Sequence, residues 1–264
     1  MIFPGINTSN DLSGIKAFLD KKVELYNNLE FIETDPIQVP HRFTLKEDIE
    51  IAAFLTSTIA WGQRISIIKN AKSLMALMEN SPYDFIINAG EKDFSSFKYF
   101  VHRTFQGTDC IFFLKSLQNI YINYGGLEKV FTDGFKIEKT VFGSLNYFRE
   151  IFFSLSHETR SRKHVANVLA NASAKRLNMF LRWMVRKDDK GVDFGIWSGI
   201  PQSSLMLPLD LHTSNTARQL GLLKRKQNDW KAVEEITAVL RNIDPIDPVK
   251  YDFALFGIGA FENQ

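Results

Sequence analysis

Apolar residues recur at intervals of three and four along almost the whole chain, the periodicity of helices that bury one face. From Ile65 the stripe runs through Ile68, Met75 and Met78, with Lys72 its one polar interruption. Ile49 to Ala60 is apolar on nearly every side and follows Asp48, a suitable N-cap, which predicts a central helix buried around most of its circumference. The same reading places helices over about 11–28, 48–61, 65–79, 82–89, 109–124, 126–132, 142–154, 163–169, 174–187, 211–220, 229–242 and 248–256. Ser81-Pro82, Gly125-Gly126, Asp133-Gly134, Ile200-Pro201 and the run Asp244-Pro245-Ile246-Asp247-Pro248 punctuate them. The fold class is all-α. The longest irregular connection, Asp188 to Leu209, carries Phe194, Ile196 and Trp197, and loops of that length are usually functional or docked on the body.

Composition narrows the picture. At 264 residues, 45% hydrophobic and 13% aromatic, the chain fills one large domain or two lobes. No apolar stretch approaches the roughly 20 residues that cross a bilayer, and no basic segment leads into an apolar one at the N-terminus, so no membrane partner and a cytoplasmic location are expected. Cys110 is the only cysteine, which excludes an intramolecular disulfide, a cysteine-rich zinc site and a four-cysteine iron–sulfur cluster. It reads as a small buried residue. The histidines and carboxylates show no metal-ligand spacing, so neither metal nor cofactor is expected. Net charge is only +2, but it is unevenly spread: residues 160–190 hold nine Lys or Arg against two Asp, and residues 1–60 hold nine Asp or Glu against five Lys or Arg.

Inside the basic segment, Lys175 opens the run Lys175-Arg176-Leu177-Asn178-Met179-Phe180-Leu181-Arg182-Trp183-Met184-Val185-Arg186, and Asp210 follows in Pro208-Leu209-Asp210-Leu211-His212-Thr213. Read alone, Lys175 is a surface lysine and Asp210 an N-cap worth about 1 kcal/mol, for a helix closed by Gly221 at C′. Together, an amine and a carboxylate at two helix starts suit attack on a sugar carbon. A lysine becomes a nucleophile when desolvation or a neighbouring cation disfavours its protonated form, and both Arg176 and the positive end of a helix act in that direction.

Leu169-Ala170-Asn171-Ala172-Ser173-Ala174-Lys175-Arg176-Leu177-Asn178, and Pro208 to Thr213 with Arg218 and Leu220-Gly221, resemble two motifs of the helix-hairpin-helix DNA glycosylase superfamily, the fold of endonuclease III and the archaeal 8-oxoguanine glycosylases. There a Leu-Pro-Gly-Val-Gly hairpin leads into the helix of the catalytic lysine, and a Val-Asp-Thr-His segment starts the helix of the catalytic aspartate. Asp48 to Gln63 resembles the buried helix that opens the superfamily's barrel. Over nearly its full length the chain is similar to a bacterial family of uncharacterised proteins sharing Ala60-Trp61-Gly62-Gln63-Arg64, the Lys175–Arg186 run and Tyr251-Asp252-Phe253-Ala254-Leu255-Phe256-Gly257.

The resemblance implies a two-lobed architecture with a cleft between the lobes. Residues 44–190 would form the barrel lobe with a remodelled hairpin, 1–43 plus 205–264 a second lobe, and 188–209 an inserted loop. It implies a DNA repair N-glycosylase, with or without AP lyase activity, acting on duplex DNA with a damaged base. Lys175 would be the nucleophile and Asp210 its carboxylate partner. Trp61, Gln63 and Trp197 would meet the flipped base, and His212 would orient Asp210 or a water. Arg160, Arg162, Lys163, Arg176, Arg182 and Arg186 would contact phosphates. Departures from the pattern are the hairpin glycines, replaced by Asn171 and Ser173, the absent iron–sulfur cysteines, and the separation of Lys175 and Asp210, which are 35 residues apart. They leave open a catalytically silent relative that binds DNA structure or a protein, and an enzyme acting on a nucleoside or modified RNA base.

Overall fold

Helical periodicity becomes helix almost everywhere in the computed structural model, which describes residues 12–262. The α-helices are α1 (Leu12–Tyr26), α2 (Leu29–Thr34), α3 (Lys46–Thr58), α4 (Arg64–Leu77), α5 (Pro82–Asn88), α6 (Glu91–Ser95), α7 (Gly107–Asn123), α8 (Leu127–Glu138), α9 (Val141–Phe152), α10 (Lys175–Val185), α11 (Leu211–Gln219), α12 (Trp230–Ile243) and α13 (Tyr251–Gly257). A hairpin of β1 (Val101–His102) and β2 (Phe105–Gln106) is the only named sheet among the described residues. None of their helices is long and apolar enough to cross a membrane.

The chain groups into two compact units. Ile32–Asn167 with Ile196–Ile200 form the central unit; the segment ending at Phe31, Val168–Gly195 and Pro201 onward form the terminal unit. The 44–190 segment expected as one lobe thus divides after Asn167, and the expected 188–209 loop lends only Ile196–Ile200 to the central unit.

In the central unit α3 is buried at every position from Ile49 to Thr58. Its core is largely phenylalanine: Phe131 stacks on Phe148 at 4.4 Å between ring centroids, Phe113 meets Phe152 edge-on at 4.7 Å, and Phe54 reaches Phe148 at 5.5 Å. Asp48 does not cap α3, which starts at Lys46; its carboxylate accepts the Tyr83 N–H at 2.8 Å, satisfying a free amide in the first turn of α5. The buried stripe of α4 is Ile67, Ala71, Leu74 and Met75, continued by buried Met78 just past its end, and Ile65 is 83% exposed. The buried face is set by Ile67 and Ala71, which begin an unbroken run of four-, three- and four-residue steps, and not by Ile65.

Asp133-Gly134 does not stop α8. A Cβ on Gly134 would lie 2.6 Å from Tyr147 Cβ and 3.0 Å from Ser144 Cα, so the glycine lets α8 and α9 approach closely. The helix expected at 163–169 is instead two 3-10 segments, Thr159–His164 and Val168–Ala170. Buried Asp109 anchors the first by accepting from Ser161 Oγ at 2.7 Å and Arg160 at 2.8 Å. Cys110 is buried, and burial pushes its thiol far above the ordinary value.

In the terminal unit α1 and α11 pack on α13. Gly257 and Gly259 do not end this helical segment, since a π-helical turn continues over Ile258–Glu262. Both are contact glycines: a Cβ would fall 2.2 Å from the Tyr26 ring at Gly257 and 2.8 Å from Thr216 Oγ1 at Gly259.

Candidate functional site

The turn that delivers Lys175 is left-handed at two places, Asn171 (φ 62°) and Ala174 (φ 51°). Asparagine is among the few non-glycine residues that enter this region readily, so Asn171 supplies the backbone freedom of one missing hairpin glycine. Ser173 does not replace the other; Ala174 takes the strained position. Asn171 is tied to the start of α12, donating to Asp229 at 2.9 Å while its carbonyl accepts the Trp230 N–H at 3.0 Å. Asn178 donates back to the Ser173 carbonyl at 3.2 Å. Lys175 therefore sits at the first position of α10 on a turn held by hydrogen bonds.

Asp210 is the N-cap of α11. Its Oδ1 accepts the Thr213 N–H at 2.8 Å, and its Oδ2 lies 3.7 Å from Lys175 Nζ. The side chains of Lys175 and Asp210 are 31% and 16% exposed, so both can meet a ligand. Gly221 (φ 70°) closes α11 at C′ with its N–H on the Arg218 carbonyl, while the Leu222 N–H reaches back to Ala217.

Beneath this pair lies a buried carboxylate that the sequence reading did not single out. Asp252 accepts the Thr213 hydroxyl at 3.4 Å, so Thr213 touches Asp210 through its amide and Asp252 through its side chain. Asp252 is also paired with Arg182. Arg182 continues to Asp193 at 3.2 Å; Arg186 meets Asp193 at 3.0 Å, Asp247 at 3.0 Å and Asp188 at 2.7 Å. The two guanidinium carbons stand 4.4 and 5.3 Å from the Phe253 ring centroid. Four carboxylates share two guanidiniums. Burial, reinforced by the charges of Asp210 and Asp193 against those of Arg182 and Lys175, pushes Asp252 up to about 6. A lone aspartate inside the apolar run Tyr251 to Leu255 was the available sign of this buried charge.

Residues 35–261 match the family described as "Protein of unknown function (DUF2400)". The chain belongs to that family. No curated protein and no solved structure matches it. The matched span contains every residue of the site just described.

The remaining expected contacts of the DUF2400 chain fall into three groups. Arg182 and Arg186 are 4% and 2% exposed and committed to carboxylates, so they are structural cations and not phosphate contacts. Trp197 likewise belongs to a core and not to a base pocket. It is 3% exposed, its Nε1 donates to buried Glu50 at 2.7 Å, and its ring rests 5.6 Å from Phe131. His212 is exposed and donates its Nδ1–H to the Gly259 carbonyl at 3.1 Å, 47 residues on in the chain. Arg160 is held by Asp109 and the Thr104 carbonyl. Arg176 is half-buried, and burial lowers its guanidinium to about 10.

Four further residues keep accessible surface. Trp61 is half-buried, stacked on His164 at 5.9 Å and edge-on to His102 at 5.0 Å. Gln63 is exposed at the N-cap position of α4 without capping it. Arg162 and Lys163 are exposed as well. All four are in the central unit, whereas Lys175, Asp210, His212 and Arg176 are in the terminal unit.

Proposed function

We propose that this DUF2400 chain is a DNA repair N-glycosylase, with or without AP lyase activity, in which Lys175 and Asp210 act on C1′ of a damaged nucleotide. The observation that supports it is the 3.7 Å pairing of Lys175 Nζ with Asp210 Oδ2 at two helix starts, on a partly exposed surface. In this reading Asp210 accepts a proton from the Lys175 ammonium and faces the positive charge that develops on the sugar. The Nζ lone pair forms a bond to C1′ as the N-glycosidic bond breaks; its electron pair leaves with the base, which takes up a proton. Breaking C1′–O4′ then yields an imine on Lys175, with O4′ taking a proton. Thr213 fixes the Asp210 carboxylate through its amide, and the charged cluster under Asp252 holds Thr213 in place.

Borohydride trapping on duplexes carrying an abasic site, 8-oxoguanine or uracil tests this. A covalent adduct that disappears in Lys175→Gln is expected. The second reading, a catalytically silent binder of DNA structure or of a protein, is favoured by the burial of Arg182 and Arg186 and the pairing of Arg160, which remove three expected phosphate contacts. Binding to these duplexes with neither adduct nor base release would establish it.

A further inference from the structure

Two guanidinium groups of the central unit converge on one ring. Arg149, in the last turn of α9, places its Cζ 4.9 Å from the Phe153 centroid, and Arg162, in the 3-10 segment Thr159–His164, places its Cζ at 5.7 Å. A cation over an aromatic ring gains little near the surface, and two like charges on one ring oppose each other. Four of the buried or half-buried arginines of this chain, Arg160, Arg182, Arg186 and Arg225, resolve such a cost with a carboxylate. Among the described residues Arg149 and Arg162 have no such partner. Arg149 donates its Nε to the Val165 carbonyl at 3.4 Å, and Arg162 donates its Nε to His157 Nε2 at 2.8 Å.

His157 is fixed as the acceptor in that contact. Its Nδ1 lies 2.7 Å from the Leu155 carbonyl, which can only accept, so Nδ1 carries the proton and Nε2 offers its lone pair to Arg162. The imidazole therefore orients Arg162 without pairing its charge, leaving the terminal nitrogens of both arginines for another acceptor. Phe153 is stacked on Phe112 at 5.5 Å and 13°, which makes the platform under the cations rigid. An open depression of about 500 Å³ shares Phe112 and His157 with this cluster. Burial and the charge of Arg162 both push the Arg149 guanidinium below its ordinary value, an effect that an anion between the two would reverse.

We propose that Arg149 and Arg162 form a phosphate-binding site, their terminal guanidinium nitrogens taking the oxygens of one phosphate group. Forked guanidinium donors match that geometry better than lysines do. The phosphate can belong to a nucleic-acid backbone or to a free phosphate or mononucleotide. The site makes no use of Lys175 or Asp210, so it stands or falls separately from the base-excision reading.

The test uses the full chain as wild type, Arg149→Gln, Arg162→Gln, the double glutamine variant, Arg162→Lys and Lys175→Gln, each checked for unchanged circular dichroism. Arginine Nε–H resonances are followed during titration with inorganic phosphate, and anisotropy with a labelled oligonucleotide across a salt series. The expected result is a saturable phosphate-induced shift of the Arg162 resonance and at least about tenfold weaker phosphate binding in the double variant. Arg162→Lys should retain part of the affinity, and Lys175→Gln all of it. Oligonucleotide binding at least tenfold tighter than phosphate, with a salt slope that drops by about one in each single variant, assigns the site to a backbone. Affinity for the oligonucleotide no higher than for phosphate assigns it to a small ligand. Absence of any phosphate-dependent shift, or equal affinity in wild type and a folded double variant, overturns the proposal.

Discussion

Asp210 divides its carboxylate between two partners: Oδ1 takes the Thr213 N–H at 2.8 Å and Oδ2 stands 3.7 Å from Lys175 Nζ. Capping fixes the position of a group whose free oxygen faces the amine. The capping role and the proposed chemical role of Asp210 are thus separable by substitution.

Asp210→Asn keeps an N-cap acceptor but removes the charge, while Asp210→Ala removes both. The alanine variant should lose about 1 kcal/mol and melt roughly 2 °C lower, and the asparagine variant should stay near wild type. If the proposed chemistry holds, both should lower borohydride trapping by about 100-fold or more. Calorimetry beside the trapping assay separates the roles; an asparagine variant that traps like wild type would remove Asp210 from the reaction.

Asp252 makes stability depend on pH in a particular direction. Its folded value of about 6 lies above the 3.8 of an ordinary aspartate, so between those pH values the folded chain holds the proton more tightly than the unfolded chain. The stabilisation from that proton is present below about pH 4 and is lost as pH rises through 6, about 3 kcal/mol in all for two pH units. Asp188 and Asp244 shift the other way, so the comparison must be with Asp252→Asn and not with a fixed baseline. Urea unfolding at pH 4, 5, 6 and 7 should show the wild type losing stability relative to Asp252→Asn as pH rises. A constant difference between the two would mean that Asp252 does not titrate there.

Removing a cation from the same cluster should cost far more than removing an anion. Four carboxylates already exceed two guanidiniums, so Arg182→Met leaves Asp193 and Asp252 buried without their shared partner. The expected loss is about 3–5 kcal/mol at pH 7, and it should shrink at pH 5 as Asp252 gains a proton. Urea midpoints at the two pH values measure it, and a loss that grows on acidification would contradict this account.

Much of this was legible in the chain. Apolar spacing located the long helices, and the Pro208 to Thr213 segment with Gly221 marked both ends of α11. The pairing of Lys175 with Asp210 across 35 residues came from the resemblance and was met at 3.7 Å. What could not be read was the fate of charges and of glycines. Nothing local distinguishes Arg182 and Arg186, which are buried by carboxylates from distant segments, from Arg162, which is exposed. Trp197 looked like a loop aromatic because its partner Glu50 lies 147 residues away. Gly134 looked like a helix stop because the pattern of one helix says nothing of the neighbour that needs the space.

That neighbour decides what a methyl group at Gly134 would do. By propensity alone Gly134→Ala should stabilise the interior of α8 by about 1 kcal/mol. The new methyl would be 2.6 Å from Tyr147 Cβ and 3.0 Å from Ser144 Cα, and the latter is backbone that cannot step aside without moving α9. Ser144 also donates its hydroxyl to the Phe131 carbonyl at 2.7 Å, so shifting α9 would strain that bond and the stacked Phe131–Phe148 pair together. Overpacking of this kind costs about 1–3 kcal/mol, which outweighs the propensity gain. Gly134→Ala should therefore melt several degrees below wild type, and Gly134→Ala with Tyr147→Ala should recover little of the loss, because alanine keeps the Cβ that stands 2.6 Å away and the Ser144 contact remains. A single variant as stable as wild type would show that α8 and α9 can separate freely.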